Sequence, residues 1–508
     1  MYQGAIISTR TRAGRRRGAR SPAVLAPARF GRRRGAIAIM FAVMLAGLIG
    51  FIGLALDLSR VYNRKAELQT IANVAALTAA RQLNGTLAGV NAATTQSALA
   101  ISALHYGYNQ LPVDWSEAAL SFSASSNGGW VSAQAARAAP DGLIYVRADT
   151  SGLGEPMRTL ALFFMGLVSD SLTSTVVSAV AVAGRSTIAV APLAVCALSN
   201  TAAASRANAG SPGNVELVEY GFRRGVAYDL MQLNPNGVAA ANFVIDPFSP
   251  PGTAGALANI APAVVGPYVC SGQLAMPRVL GGAITVGRGF PLASLYEQLN
   301  SRFDLYNGSL CSYATAPPDT NIKQYAFNSA VAWMGTAPTG QAAQSSTANG
   351  KLWTVAEPLP PPAGTTAAMY GPLWAYARAV PWSSYAAGAA EPATGYTPFA
   401  VNAWSTLYGP AGPVVSGAYP AGTSTPYKSG GGANFQAPPA AHRGVASRRV
   451  LNVALLSCPV GGGALTTATV LGIGKFLMTV QANANTVYAE FGGLAAEQSL
   501  GGAVELYQ

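Results

Sequence analysis

Residues 36–56 read AIAIMFAVMLAGLIGFIGLAL, twenty-one residues without a charge. At helical rise this run is roughly 31 Å long, the thickness of a bilayer's hydrocarbon core. It predicts a transmembrane helix, with Ala36, Phe41, Leu45, Leu48, Phe51 and Leu56 as its anchor residues. Arg32, Arg33 and Arg34 stand directly before it and close a basic leader, residues 1–35, which holds ten arginines and no acidic residue. Cationic flanks stay on the cytoplasmic side, so these three arginines predict an N-terminus inside and residues 57–508 outside. A cleaved secretory signal has a shorter apolar core followed by a small-residue cleavage site. Here the run ends in Leu56-Asp57-Leu58-Ser59-Arg60, which fits a retained, single-pass signal anchor.

The leader also accounts for the charge. Of the formal +12, ten charges lie before residue 35 and about two remain for the rest of the 508 residues. The exported part therefore has no basic stripe, which argues against a nucleic-acid partner. Its four cysteines, Cys196, Cys270, Cys311 and Cys458, read as two disulfides in an oxidising compartment. Three pairings exist; the reading adopted here joins Cys270 with Cys311 and Cys196 with Cys458. No two cysteines are close in sequence and the only histidines are His105 and His442, so neither a metal nor another cofactor is expected.

Beyond the membrane the helical pattern continues. Residues 57–83 contain no proline or glycine, and Leu58, Val61, Leu68, Ile71 and Ala75 recur at helical spacings. Asn84-Gly85 supplies a stop. This face is a candidate helix interface, either for a partner helix or for the chain's own domain. A second helix is expected over 92–108, with His105 on it. Strands are expected at 119–124 and 129–133 around a Ser125-Ser126-Asn127-Gly128 turn, and at 143–149 after the Pro140-Asp141-Gly142 turn. An apolar helix over 157–168 then leads to a Val/Thr-rich strand over 172–184. Residues 188–198 read as one buried strand, and strand patterns return at 449–460 and 469–480. Residues 336–441 are rich in Pro, Gly and Ala but carry Trp353, Trp374, Trp382 and Trp404. That predicts loop-heavy structure packed by aromatics, or an interaction surface.

Catalytic signatures are missing. No nucleophile elbow, phosphate loop or zinc-helix motif occurs. Asp57-Leu58-Ser59 lacks the continuation of a D-x-S-x-S metal site, since position 61 is valine. An enzyme acting on envelope polymers would need converging carboxylates among Asp229, Asp246, Glu216, Glu219 or their neighbours. No small-molecule substrate is indicated.

From Gly31 to Ala80 the order of features is specific. Arg33-Arg34-Gly35 precedes the apolar helix, which ends in Gly53-Leu54-Ala55-Leu56-Asp57-Leu58. Glu67-Leu68-Gln69 and the alanine-rich stretch 72–80 follow. This segment resembles the N-terminal part of the TadE/TadG-like proteins of bacterial tight-adherence (Flp-type) pilus assembly. A looser resemblance runs through 143–184, where strand, a helix bearing Phe163 and Phe164, and a Val/Ala-rich strand follow in the family's order. It implies a non-catalytic assembly protein in the bacterial inner membrane, facing the periplasm, whose partners are the lipid bilayer and other pilus-assembly proteins. Prepilin-like members carry a glutamate five positions after the cleavage-site glycine. Here Met40 stands at that distance from Gly35, which points to an uncleaved, TadG-like anchor. A surface adhesin built on 336–441 is the alternative beside the membrane-tethered enzyme.

The expected architecture is α+β. After the leader (1–35) and anchor (36–56) comes a pilin-like helix-plus-antiparallel-sheet domain (57–190), followed by a β-rich periplasmic domain (191–508).

Overall fold

The computed structural model describes residues 34–507 except 84–86, 108–109, 141–142, 186, 209–210, 250–253, 278–282, 328–340, 358–363, 372, 388, 390, 393, 409–418, 421–423, 497–498 and 503. Arg32, Arg33, the Asn84-Gly85 stop and the Asp141-Gly142 turn lie outside the described residues. The fold is α+β: one long N-terminal helix, Arg34–Gln82, then a β-rich body with short helices. By compactness the chain divides into two units. One comprises residues up to Arg60 with Ala161–Ser174, the other Val61–Leu160 with Thr175–Gln508.

In the first unit the helix presents an apolar surface almost without cover. Ile37, Phe41, Leu45, Leu48, Phe51 and Leu56 are all exposed, while Gly53 and Asp57 are buried. Among the described residues this is the one helix long and apolar enough to cross a membrane.

In the second unit the helix changes partner. Leu68, Ile71, Ala72, Ala75, Ala76, Ala79 and Ala80 are buried in a core with Phe122, Val146 and Ala183. The sheet behind them runs in the order Val504–Tyr507, Val180–Arg185, Tyr145–Asp149, Leu120–Ser123 and Val131–Ser132, all antiparallel. Alanine is what allows close approach here. Ser97, on the second helix, Leu87–Ser102, donates its hydroxyl to the Ala75 carbonyl at 3.0 Å. Of the candidate interface residues, Leu68, Ile71 and Ala75 are thus spent on the protein's own core, Val61 packs at its margin, and Leu58 is exposed.

The remainder is built on seven strands. Five of them, Leu465–Met478, Ala283–Arg288, Asn242–Ile245, Leu193–Cys196 and Val450–Leu456, pair in a ring that returns to its first member. Four of those pairings are antiparallel, and Leu193–Cys196 with Val450–Leu456 is parallel. Tyr488–Leu494 and Ala227–Asp229 extend the ring at one edge. The pleat separates two cores: Leu193 and Val195 enter one, Ala194 and Cys196 the other. Residues 336–441 supply aromatics to the larger core, where Trp374, Trp404, Tyr370 and Tyr408 are buried.

Several local expectations are corrected. The second helix spans Leu87–Ser102, and His105-Tyr106 is a strand paired with Leu111-Pro112, because Gly107 at φ 71° and Gln110 at φ 51° turn the chain back. The expected strand over 129–133 is only Val131–Ser132; Ser132 then caps a short helix, Ala133–Ala138, by accepting the Ala135 N–H. No continuous helix covers 157–168. The segment divides into Glu155–Arg158, a strand Thr159–Ala161, and Met165–Val168, leaving Phe163 and Phe164 ahead of the last turn. The strand expected over 172–184 divides at 177–179, where Thr150 Oγ1 accepts the N–H of Ala179 and donates to its carbonyl. The one expected over 188–198 divides at Ala191-Pro192 into Thr187–Val190 and Leu193–Cys196, in different sheets, since Pro192 has no N–H to continue a ladder.

Cys196 bonds Cys458 and Cys270 bonds Cys311. The parallel register explains the first pair: Cys196 lies opposite Leu456, two residues before Cys458. The bridges close loops of 262 and 41 residues. On chain-entropy grounds, paired Cys→Ala replacement at 270 and 311 costs about 4 kcal/mol, and at 196 and 458 about 1–2 kcal/mol more. Thermal unfolding of the detergent-solubilised full chain is expected to show the larger drop for the 196/458 variant.

Candidate membrane anchor and buried polar sites

The C-terminal end of the apolar half of the helix is organised by one carboxylate. Asp57 lies a turn beyond Gly53 on the same helix face, and both sit against residues 163–165. Its Oδ1 accepts the Phe163 N–H at 3.1 Å, and its Oδ2 accepts those of Phe164 and Met165 at 2.8 Å each. These are the donors at and just before the start of a short helix, Met165–Val168, whose first N–H groups have no partner within it. One turn further, the Arg60 guanidinium lies 4.6 Å from the Phe163 ring centre and donates to the Ala161 carbonyl at 3.1 Å. Gly53 makes room for Phe164: a Cβ there would come within 2.5 Å of the ring. Leu162 N–H closes the hairpin on the Thr173 carbonyl at 2.8 Å. An apolar groove of about 550 Å³ lies between helix residues 46–54 and hairpin residues 164–172.

Residues 35–82 match a sequence model. The family is Tad, described as Putative Flp pilus-assembly TadE/G-like. The matched stretch covers the expected anchor and the alanine-rich half of the long helix, and it contains Gly53 and Asp57. No curated protein and no solved structure matches the chain.

The four acids named for an envelope enzyme each have partners in the fold. Glu216 holds Arg223 through both oxygens at 2.7–3.1 Å, with Arg206 3.7 Å away. Glu219 pairs with Arg224, which also grips Glu391 at 2.7 and 2.9 Å. Arg223 and Arg224 are adjacent in sequence yet serve different carboxylates. Asp246 accepts from Phe248, Ser249 and Asn259, and its carboxyl is pulled below the usual range by those bonds against the opposing effect of burial. Asp229 accepts from Met231 and Val487, and burial raises its pKa. Each of the four is thus bonded to arginine, to backbone N–H groups or to neighbouring polar side chains. Among the described residues no group of three or more His, Cys, Asp or Glu gathers for a metal. His442 stacks on Tyr313 at 4.1 Å with Nδ1 2.7 Å from Asp304, and His105 is exposed on its strand.

A second set of polar residues had no signature in the sequence. Glu490 is wholly buried and accepts the N–H groups of Ala375, Tyr376 and Ala377 at 2.8 Å each; burial nevertheless pushes its carboxyl up to about 7. Arg449, also buried, donates to the carbonyls of Asn321, Lys323, Met478 and Thr479, and lies 4.5 Å from the Phe303 ring centre. A cleft of about 390 Å³ is lined by Ser199, Asn200, Arg206, Lys351, Trp353 and Glu357. Glu357 is the one acid there. Burial lifts its carboxyl from 4.5 to about 8, only partly offset by the Thr354 N–H and by Lys351. Its carboxyl is therefore mostly protonated at neutral pH.

Two tests follow from these geometries. Asp57→Ala, which removes the acceptor, and Gly53→Val, which displaces the Phe164 ring, are each expected to speed amide exchange at 163–165 by about tenfold or more in the bilayer-reconstituted protein. Glu357 has a folded pKa above its unfolded value, so the stability it supports is present below pH 4.5 and declines as pH rises to about 8. Glu357→Gln stays neutral throughout. Its thermal midpoint is expected to gain on the parent's between about pH 4.5 and pH 8 and to hold that gain above, and a constant difference throughout would refute the raised pKa.

Proposed function

We propose that the protein is a membrane-anchored, TadG-type component of Flp/Tad pilus assembly, working through protein contacts on the far side of a bacterial inner membrane. The observation that carries this reading is the coincidence of the matched stretch, residues 35–82, with the long helix Arg34–Gln82. Within that helix an uncharged, exposed half is followed by an alanine-rich half packed on a sheet. The orientation rests on the arginines of the leader, with the N-terminus cytoplasmic and the bulk periplasmic. Retention of the anchor rests on Met40. A lipid-embedded helix lacking a carboxylate is at home in the bilayer, whereas an unpaired one would be costly there.

In this reading residues 57–190 form the pilin-like part and 191–508 a periplasmic body. A structural role accords with acids that are bound up in ion pairs and backbone caps. Burial of Trp374 and Trp404 speaks for packing over adhesion in 336–441.

Reporter fusions after Gln508 test the topology: a periplasm-dependent enzyme is expected to be active and a cytosol-dependent one silent. Deletion of the gene is expected to abolish pili. Intact pili with lost attachment would transfer support to an adhesin, and altered envelope composition to an enzyme. Intact-mass measurement is expected to retain residues 1–35; a mature N-terminus at Ala36 would refute the anchor assignment.

A further inference from the structure

We propose that residues 161–174 form a second membrane-contacting element, an apolar hairpin that enters the lipid beside the anchor helix and stops within one leaflet. The inference rests on the anchoring proposed above and deepens it.

The first argument is depth. Hairpin residues Phe164, Leu167 and Leu172 border the groove together with helix residues Ala46, Gly50 and Leu54. From Ala46 to Asp57 the helix rises roughly 16 Å, about half the thickness of the hydrocarbon core. If residues 36–56 span a bilayer, whatever lies along 46–54 is at lipid depth. Leu167 and Val168 are each 84% exposed and Phe163 66%, so their outer surfaces face the same medium as the exposed anchor. The occupant of this face is accordingly lipid, by continuity with the anchor itself.

The second argument is the backbone. A loop in hydrocarbon must satisfy its N–H groups internally. Here Phe163, Phe164 and Met165 donate to Asp57, Leu162 to Thr173, Leu167 to Phe164, Ser169 to Met165, and Leu172 to Ser169. Water would have satisfied those groups without help. An aspartate buried at the mouth of the hairpin is what a lipid-facing turn requires.

The third argument limits the insertion. The apolar run 161–168 is too short to cross a bilayer, and Ser169-Asp170-Ser171 follows it directly. Asp170, just after the apolar run, is costly in hydrocarbon, so the hairpin does not continue past the depth of Ala46 into the second leaflet. The element is confined to one leaflet.

The test uses the full chain in phosphatidylethanolamine/phosphatidylglycerol vesicles. All four cysteines are disulfide-bonded, so a single introduced thiol can carry an environment-sensitive nitrobenzoxadiazole label. Labels at Leu167→Cys, Phe41→Cys and Asn127→Cys are compared with and without doxyl-labelled lipids. Loss of emission is expected at Leu167→Cys and Phe41→Cys, with none at Asn127→Cys. If Phe41→Cys is quenched while Leu167→Cys behaves like Asn127→Cys, the hairpin is outside the lipid and this inference falls with the anchor intact. If Phe41→Cys also escapes, the anchoring itself falls. Quenching at Leu167→Cys that vanishes as the protein-to-lipid ratio rises would assign the face to a second copy of the chain and overturn the lipid assignment. Valine at Leu167 with the label moved to Val168→Cys provides a milder pair should the first variant fail to fold.

Discussion

Three successive backbone N–H groups, those of Ala375, Tyr376 and Ala377, end on the carboxylate of Glu490, and three more, at 163–165, end on Asp57. A chain with so much irregular structure faces one recurrent demand: backbone groups that leave water without joining a helix or strand must still be paired. This protein meets it with a few charged side chains placed where loops converge. Arg449 does the same for carbonyls, gathering four of them from two segments. Charges are few, and many are buried fasteners rather than solvated surface.

The two carboxylates work in different surroundings. Glu490 is enclosed by the protein's larger aromatic body, and burial raises its pKa in spite of its three donors. Asp57 stands on a helix whose preceding residues are apolar and exposed, with Gly53 below it admitting a phenylalanine ring and Arg60 above it covering another. Glycine, aspartate and arginine recur at about one-turn intervals on one face, so a single stripe of the helix organises the whole hairpin. The family match extends across Gly53 and Asp57 and stops short of the hairpin they hold.

Much of the architecture was legible in local pattern. Uninterrupted apolarity announced the anchor, helical spacing carried the helix on to Gln82, and the strands at 120–123, 145–149 and 450–456 stood out by composition. Some failures of the reading were local, as at Gly107, Ser132 and Pro192, and in others a partner distant in sequence had intervened. Residues 157–168 have helical composition but break where Asp57, more than a hundred residues earlier, takes their N–H groups. Residues 172–184 look like one strand and divide where Thr150 captures Ala179. The strands Tyr488–Leu494 and Val504–Tyr507 went unread, the first because glycines dilute its pattern and the second because only an edge partner defines it. Asp57 itself was weighed as a metal ligand and set aside. Nothing in its neighbours revealed that its partners would be backbone.

By itself the sequence determined a membrane-length helix, its basic flank, an α+β body and the resemblance of residues 31–80 to a pilus-assembly family, because each is written in contiguous residues. Tertiary structure alone decided which carboxylates would cap which loops, that five strands would close into a ring, and that Phe163 and Phe164 would lie beside the anchor rather than on a helix of their own. Those outcomes depend on groups separated by about one hundred residues or more, and a backbone donor carries no mark in the sequence of the side chain that will satisfy it.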